Sequence, residues 1–144
     1  MRTEGVFSPE TEADAVEAFD SVGPAAQTVV RETAKAMSFD REEYDERVTG
    51  EVVETARDAL FASLLSVTVG DREEWESWRE DHSDYDIHVN GSEHVDRVVW
   101  HASPATGTAV AATFQSEADA AVATLRRQAF GRIYRPMFDD EAGE

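Results

Sequence analysis

The spacing of apolar residues changes near Leu65, and this change restricts the fold more than any other feature of the chain. Before Leu65, apolar side chains recur every three or four residues, which is the period of a helix that buries one face. After it, residues 66–69 and later runs alternate between apolar and polar, which is the period of a strand. The sequence therefore predicts an α+β fold in which a helical group precedes a sheet.

Capping and helix-breaking residues divide the first half of the chain. Ser8 followed by Pro9 predicts the start of a helix over residues 9–20, and Gly23-Pro24 opens a second helix over residues 24–36. Asp40 predicts the cap of a short charged helix that ends near residue 48. A strongly apolar helix over residues 51–65 follows, so we expect three to four helices before the sheet, with the last at the centre of the core.

The second half predicts a small antiparallel sheet. Residues 85–89, 94–102 and 108–114 are predicted to be three adjacent antiparallel strands, and residues 66–69 to be a fourth. Asn90-Gly91 is typical of a tight hairpin turn between two paired strands. Residues 72–82 are predicted to be helical. Ser116 predicts the cap of a C-terminal helix that packs across this sheet of three to four strands.

Length and composition predict one domain. The chain has 144 residues, close to the commonest domain size, and 41% of them are hydrophobic, which is enough for one core. The sequence shows neither an internal repeat nor a linker long enough to divide it. We therefore predict a single domain over residues 1–138, followed by an acidic tail over residues 139–144 that frays.

Acidic residues dominate the charge. There are 31 Asp and Glu against 13 Lys and Arg, a net charge of −18, and Lys35 is the single lysine. In molar salt, where the Debye length is about 3 Å, the repulsion among these charges is largely screened. The charges are spread along most of the chain, which favours a halophilic adaptation over an acidic site for cationic partners.

Several classes of protein are disfavoured. The chain has no cysteine, which excludes disulfides, thiolate metal sites and a cysteine nucleophile. The longest apolar stretch, residues 59–69, is too short to span a bilayer, and the N-terminus lacks the apolar core of a signal peptide, so we expect a cytoplasmic protein. Nucleophile-elbow, P-loop and dinucleotide motifs are also missing. We therefore expect no cofactor and lean away from an enzyme.

One short segment suggests metal chemistry. On a strand, Asp84, Asp86 and His88 would project to the same face about 6 to 7 Å apart, where two carboxylates and an imidazole could hold a divalent cation. His94 and His101 could join them from the next strand, which would make the protein a metal-dependent enzyme. However, the spacing matches no known metal signature, and polar alternation is typical of a solvent-facing strand. We favour the solvent-facing interpretation and assign no catalytic residue.

The charge balance reverses near the C-terminus. Residues 117–135 carry only two acids and four arginines, namely Arg126, Arg127, Arg132 and Arg135. The leading hypothesis is a non-enzymatic interaction or regulatory protein, whose arginine-bearing helix contacts an acidic surface on a protein partner or on a second copy in a homodimer. Alternatively, the four side chains pair with carboxylates of the chain itself.

Nucleic-acid binding is the main alternative function. Phe130 and Tyr134 are interleaved with the four arginines, and guanidinium groups beside aromatic rings suit phosphates and stacked bases. The net acidity does not exclude RNA or DNA, because phosphate contacts are local. Salt nevertheless weakens such contacts by counterion release.

Three segments carry a resemblance to a known family. They are residues 23–30 (GPAAQTVV), residues 36–44 (AMSFDREEY) and residues 125–136 (LRRQAFGRIYRP). In these the chain resembles a family of small haloarchaeal proteins of unknown function, and the likeness covers most of the chain. The resemblance implies salt adaptation, but no activity, cofactor or catalytic residue.

Overall fold

A computed structural model describes residues 1–142, with side chains described as far as residue 139. The helices are α1 (Glu12–Ser21), α2 (Gly23–Ala36), α3 (Arg41–Arg47), α4 (Gly50–Ser63), α5 (Arg72–Asp81), α6 (Ala118–Ala129) and α7 (Arg135–Ala142), with a π-helical turn (Phe130–Tyr134) between the last two. The strands are β1 (Arg2–Glu4), β2 (Val67–Asp71), β3 (Asp86–Asn90), β4 (Arg97–Ser103) and β5 (Thr108–Phe114). The predicted α+β class is confirmed.

Short polar side chains begin the N-terminal helices. The backbone N–H of Asp14 donates to Thr11 Oγ1 at 3.0 Å, so α1 begins after Thr11 and the predicted start at Ser8-Pro9 is wrong. Asp40 caps α3 as predicted, in a reciprocal capping box, and Asp71 caps α5 in the same way. Four helices therefore lie between β1 and β2, at the upper end of the predicted number.

The C-terminal segment differs from the single capped helix that the sequence predicts. Helix α6 begins after Glu117 without a side-chain capping bond, so Ser116 is not its cap. We call residues 118–142, which comprise α6, the π-helical turn and α7, the C-terminal helix. Its backbone is helical as far as Ala142, and residues 143–144 of the predicted acidic tail lie outside the described residues.

The sheet has five strands in the order β1-β2-β4-β5-β3. Antiparallel pairing joins β1 to β2, β2 to β4 and β4 to β5, whereas β3 pairs with β5 in parallel. The prediction of an entirely antiparallel sheet of three to four strands is therefore wrong at both edges of the sheet. At one edge β1 is an additional strand, and at the other β3 pairs in parallel. The predicted strand near Val67 is present, and the C-terminal helix packs on β4 and β5 as expected.

Asn90-Gly91 does not form the predicted hairpin. Gly91 has the positive φ of a turn residue, 122°, but the chain then crosses the end of β5 to reach β4, which begins at Arg97 and not at residue 94. Arg72 holds this crossing loop, because its Nη2 donates to the carbonyls of Ser92 and Val95, both at 2.7 Å. One edge of β4 is paired with β2 and the other with β5, so the free edge of β5 is the place left for β3.

Side chains are buried on both faces of the sheet. The main core lies between one face and helices α1, α4 and the C-terminal helix, with the fully buried Phe61 in contact with aromatic rings from several elements. The opposite face is covered by α5, where Trp75 packs on Trp100 of β4. The prediction that α4 lies at the centre of the core holds only for its C-terminal end, because Phe61 and Ala62 are its buried residues and Val52 is 41% exposed. Another side of α4 contacts α2, and a further side faces a groove.

Candidate functional site

A groove of about 560 Å³ lies between α4 and the C-terminal helix. The α4 wall is built mainly from small side chains, together with one carboxylate: Thr55, Asp58, Ala59, Ala62 and Ser63. The opposite wall carries three arginines beside two small residues and one aromatic ring: Ala123, Arg126, Arg127, Phe130, Gly131 and Arg135. We call this site the arginine groove.

Arg126 is anchored at the inner end of the arginine groove. Its side chain is half-buried, and Nε donates to the carbonyl of Leu65 at 2.8 Å, just after α4 ends. None of the described carboxylates forms an ion pair with it. Its guanidinium therefore keeps a fixed position while its charge is unmatched by an acid of residues 1–139.

Arg127 and Arg135 form the outer rim. Arg127 is exposed, and its Nη2 donates to Thr124 Oγ1 at 3.3 Å. Arg135 pairs with Asp58 of the α4 wall through Nη2 and Oδ2 at 3.3 Å, and its guanidinium lies 5.0 Å from the centroid of the Phe130 ring. Of the four arginines that the sequence identifies as candidate binding residues, Arg135 is the one that forms an ion pair with a described carboxylate.

Asp58 sets the electrostatics of the α4 wall. Burial raises the pKa of Asp58 above its usual value, and the facing guanidinium of Arg135 opposes this rise without cancelling it. Among the side chains that the structure describes, the lining of the arginine groove carries three guanidinium groups and this one carboxylate, which makes it a net positive site on a protein of charge −18.

The π-helical turn brings Arg135 into line with Arg127. In a regular helix, side chains eight positions apart lie about 80° apart around the axis. Here the backbone N–H of Arg135 donates to the carbonyl of Phe130, five residues earlier, which inserts one extra residue into the turn. The insertion reduces the angle between the two arginines to about 20°, so both face the arginine groove.

Arg132 faces away from the arginine groove. It lies in the π-helical turn and lines a smaller cavity of about 280 Å³ with Glu12 of α1 and Thr108 of β5, among others. The structure therefore brings together three of the four arginines that the sequence identifies. Even in a regular helix, a separation of five positions places Arg132 about 140° around the axis from Arg127, so the two side chains point in different directions.

Buried polar groups hold the π-helical turn against the sheet. His101 Nδ1 lies 2.6 Å from the carbonyl of Ser66, so this nitrogen carries the proton and donates it. His101 Nε2 then accepts from the hydroxyl of Tyr134 at 2.7 Å. Both side chains are buried, and burial lowers the pKa of His101 and raises that of Tyr134. These bonds fix the turn that orients Arg135.

Stability is expected to fall as the pH drops below 6.5, the usual pKa of histidine. Burial and the nearby Arg126 keep His101 neutral in the folded state, whereas the unfolded chain takes up a proton there, so acid favours unfolding by up to about 1.4 kcal/mol per pH unit. Urea unfolding between pH 7 and 5 measures this slope. We expect a smaller slope in His101→Gln and an unchanged slope in His94→Gln, a control in which the replaced side chain is 87% exposed. Equal slopes in all three proteins would contradict the assignment.

The residues considered for a metal site are dispersed. His88 Nε2 lies 2.9 Å from Asp86 Oδ2 on β3, but Asp84 sits in the turn before the strand. His94 lies in an exposed loop, and both ring nitrogens of His101 are already hydrogen-bonded. Within the described part of the chain, no group of three or more His, Asp or Glu side chains is placed to hold a metal ion.

The aromatic residues between the arginines are not a stacking surface. Phe130 is 6% exposed and Tyr134 is fully buried, since both belong to the main core. The suggestion that they could stack on bases is therefore wrong. Their burial also explains the helical spacing that places them between arginines: the apolar side chains face the core and the arginines face away from it.

Comparison with known proteins adds a family to this description. Residues 6–135 match the model of DUF5809, a family of unknown function. The chain belongs to the DUF5809 family. The matched range includes α4 and all three arginines of the groove, so this site lies within the family's shared region. No curated protein and no solved structure matches this DUF5809 chain.

Among the described residues, every helix is too short or too polar to cross a bilayer.

Sequence reasoning missed the α4 wall of the arginine groove. Asp58 is one of 31 acidic residues, and its partner Arg135 lies 77 positions away, so no local pattern distinguishes it. Ala59 and Ala62 could be assigned to a helix but not to a groove. The charge reversal near the C-terminus is the sequence signal that singles out Arg126, Arg127 and Arg135, the three arginines that line this groove.

Proposed function

We propose that this DUF5809 protein is a non-enzymatic interaction protein that binds an acidic protein partner in the arginine groove. The observation that supports this proposal most directly is the meeting of three guanidinium groups over a floor of small side chains. Arg126 and Arg127 have no carboxylate partner among the described side chains. Guanidinium groups bind carboxylates through paired hydrogen bonds, which suits an acidic partner.

An acidic protein is favoured over nucleic acid for two reasons. The aromatic rings that would stack on bases are buried, and Arg132 lies apart from the other three arginines, so the positive charge does not extend along a phosphate backbone. Nucleic-acid binding is therefore the second candidate function.

We also propose that the protein works in a cytoplasm of molar salt and is of haloarchaeal type. The support is its composition, with 31 acidic residues against 13 basic ones. In such a solvent, long-range attraction is screened, and binding depends on close contacts between paired groups and on buried apolar area. The arginine groove offers both, because arginines stand beside alanines and the Phe130 ring.

The proposal is tested by titrating ¹⁵N-labelled protein with poly-L-glutamate in molar KCl and following the backbone amide resonances. We expect shifts concentrated on α4 and the C-terminal helix. The double variant Arg127→Gln/Arg135→Gln is expected to bind at least tenfold more weakly, since it removes two guanidinium groups from the rim. The control Arg31→Gln/Arg79→Gln removes two exposed arginines elsewhere and should bind as the parent does.

Three results would overturn the proposal. One is the absence of any shift with poly-L-glutamate, and another is an equal loss of affinity in the groove and control variants. The third is tighter binding of a single-stranded RNA of the same charge, which would establish the second candidate function instead. Gel filtration with light scattering in the same salt tests whether the acidic partner is a second copy of the chain. If the parent is a dimer and the groove variant is a monomer, the partner is a second copy.

A further inference from the structure

We propose that the partner segment held in the arginine groove is an amphipathic helix that carries acidic side chains two turns apart. This inference rests on the proposed function and specifies the occupant of the same site. It is carried by the shape of the groove, the spacing of its arginines and the position of Asp58.

The shape of the arginine groove suits a third helix. Thr55, Ala59 and Ala62 are spaced by four and three residues on α4, so they share one face of that helix. Ala123 and Gly131 are the small residues of the opposite wall. Helices pack with their axes about 8 to 10 Å apart, and the closest approaches need small residues at the contact. The small residues on both walls therefore leave room for the side chains of a docked helix.

The spacing of the rim arginines matches a helix better than an extended segment. Arg127 and Arg135 are eight positions apart, and with the extra residue in the π-helical turn they are separated by about 11 Å along the axis. Side chains at positions i and i+7 of a helix are also about 11 Å apart on one face. Side chains on one face of an extended strand are about 7 or about 13 Å apart, and neither distance matches.

The carboxylate of Asp58 gives the docked helix an orientation. Asp58 stands on the α4 wall, opposite the arginines, and it would repel acidic side chains placed against that wall. A docked helix therefore turns its acidic row toward Arg127 and Arg135 and its small apolar side chains toward Ala59. The partner's carboxylate nearest Arg135 competes with Asp58, whose ion pair with Arg135 has an N–O distance of 3.3 Å and is partly exposed to solvent.

The experiment uses two synthetic peptides of identical charge, added to the full-length protein in molar KCl. The first is an alanine- and leucine-rich helix of roughly 15 to 20 residues, or about four to six turns, with glutamates at positions i and i+7. In the second, two central alanines are replaced by prolines, which break the helix without altering the charge. We expect the helical peptide to bind at least tenfold more tightly, as measured by fluorescence anisotropy.

A groove-filling variant separates docking from general electrostatic attraction. Ala59→Trp fills part of the arginine groove without changing any charge and should weaken the binding of the helical peptide at least tenfold. Ala25→Trp places the same ring on an exposed position of α2 and should leave binding unchanged. Equal weakening by both substitutions would overturn the inference.

The peptides also distinguish failure of this inference from failure of the proposed function. If both peptides bind equally and poly-L-glutamate still binds in the arginine groove, the inference of a helical partner segment is wrong, whereas the proposal of an acidic partner is retained. If neither peptide nor poly-L-glutamate binds, both proposals fall. The inference of a helical partner segment would also be overturned if single-stranded RNA displaced the helical peptide at a concentration lower than that of the peptide.

Discussion

Replacing Phe61 with alanine is expected to lower the free energy of unfolding by about 4 kcal/mol, because the surrounding core side chains cannot move in to fill the cavity that the substitution leaves. The side chain is fully buried. Its ring contacts five other aromatic rings at centroid distances between 5.3 and 6.0 Å, and these belong to Phe7, Phe19, Phe130, Tyr134 and Phe138. Phe61 therefore joins α4 to α1 and to the C-terminal helix.

Urea unfolding in molar salt measures this loss, and Phe39→Ala serves as the control. Phe39 is half-buried and lies outside the aromatic cluster, with the guanidinium of Arg47 over its ring at 5.6 Å. We expect the control to lose much less stability than Phe61→Ala. A loss below about 1 kcal/mol for Phe61→Ala would mean that the aromatic cluster is not the centre of the core.

Transfer from molar salt to dilute buffer is expected to destabilise the folded protein by several kcal/mol. The Debye length rises from about 3 Å at 1 M salt to about 30 Å at 0.01 M, so the excess acidic charges repel one another across the whole surface. With a net charge of −18, this repulsion favours the unfolded chain, in which the charges lie farther apart. A loss of about 3 kcal/mol corresponds to a melting temperature lower by about 10 °C.

Circular dichroism during heating, repeated over a series of KCl concentrations, checks this expectation. The control is the triple variant Glu42→Gln, Asp45→Asn and Glu46→Gln, which neutralises exposed acids of α3. It should show a weaker dependence on salt than the parent. If the parent keeps the same melting temperature in nearly salt-free buffer, the acidic composition needs a cause other than adaptation to salt.

Much of the local structure follows from neighbouring residues, which is why it could be predicted. The capping box at Asp40 and the apolar period of α4 each depend on side chains within a few positions of one another. The errors concern long-range choices. The parallel pairing of β3 depends on which strand edges remain free, and the short strand β1 exists because β2 offers it an edge 65 residues later.

The arginine groove shows the same division. The sequence by itself determined that positive charge collects near the C-terminus, because the positions of the arginines along the chain are part of the sequence. The tertiary structure alone decided which arginines meet. Arg127 and Arg135 share a face because a one-residue bulge changes the phase of the C-terminal helix. That bulge is held by Tyr134 and His101, which are 33 positions apart, so the contact that orients the site lies beyond any local pattern.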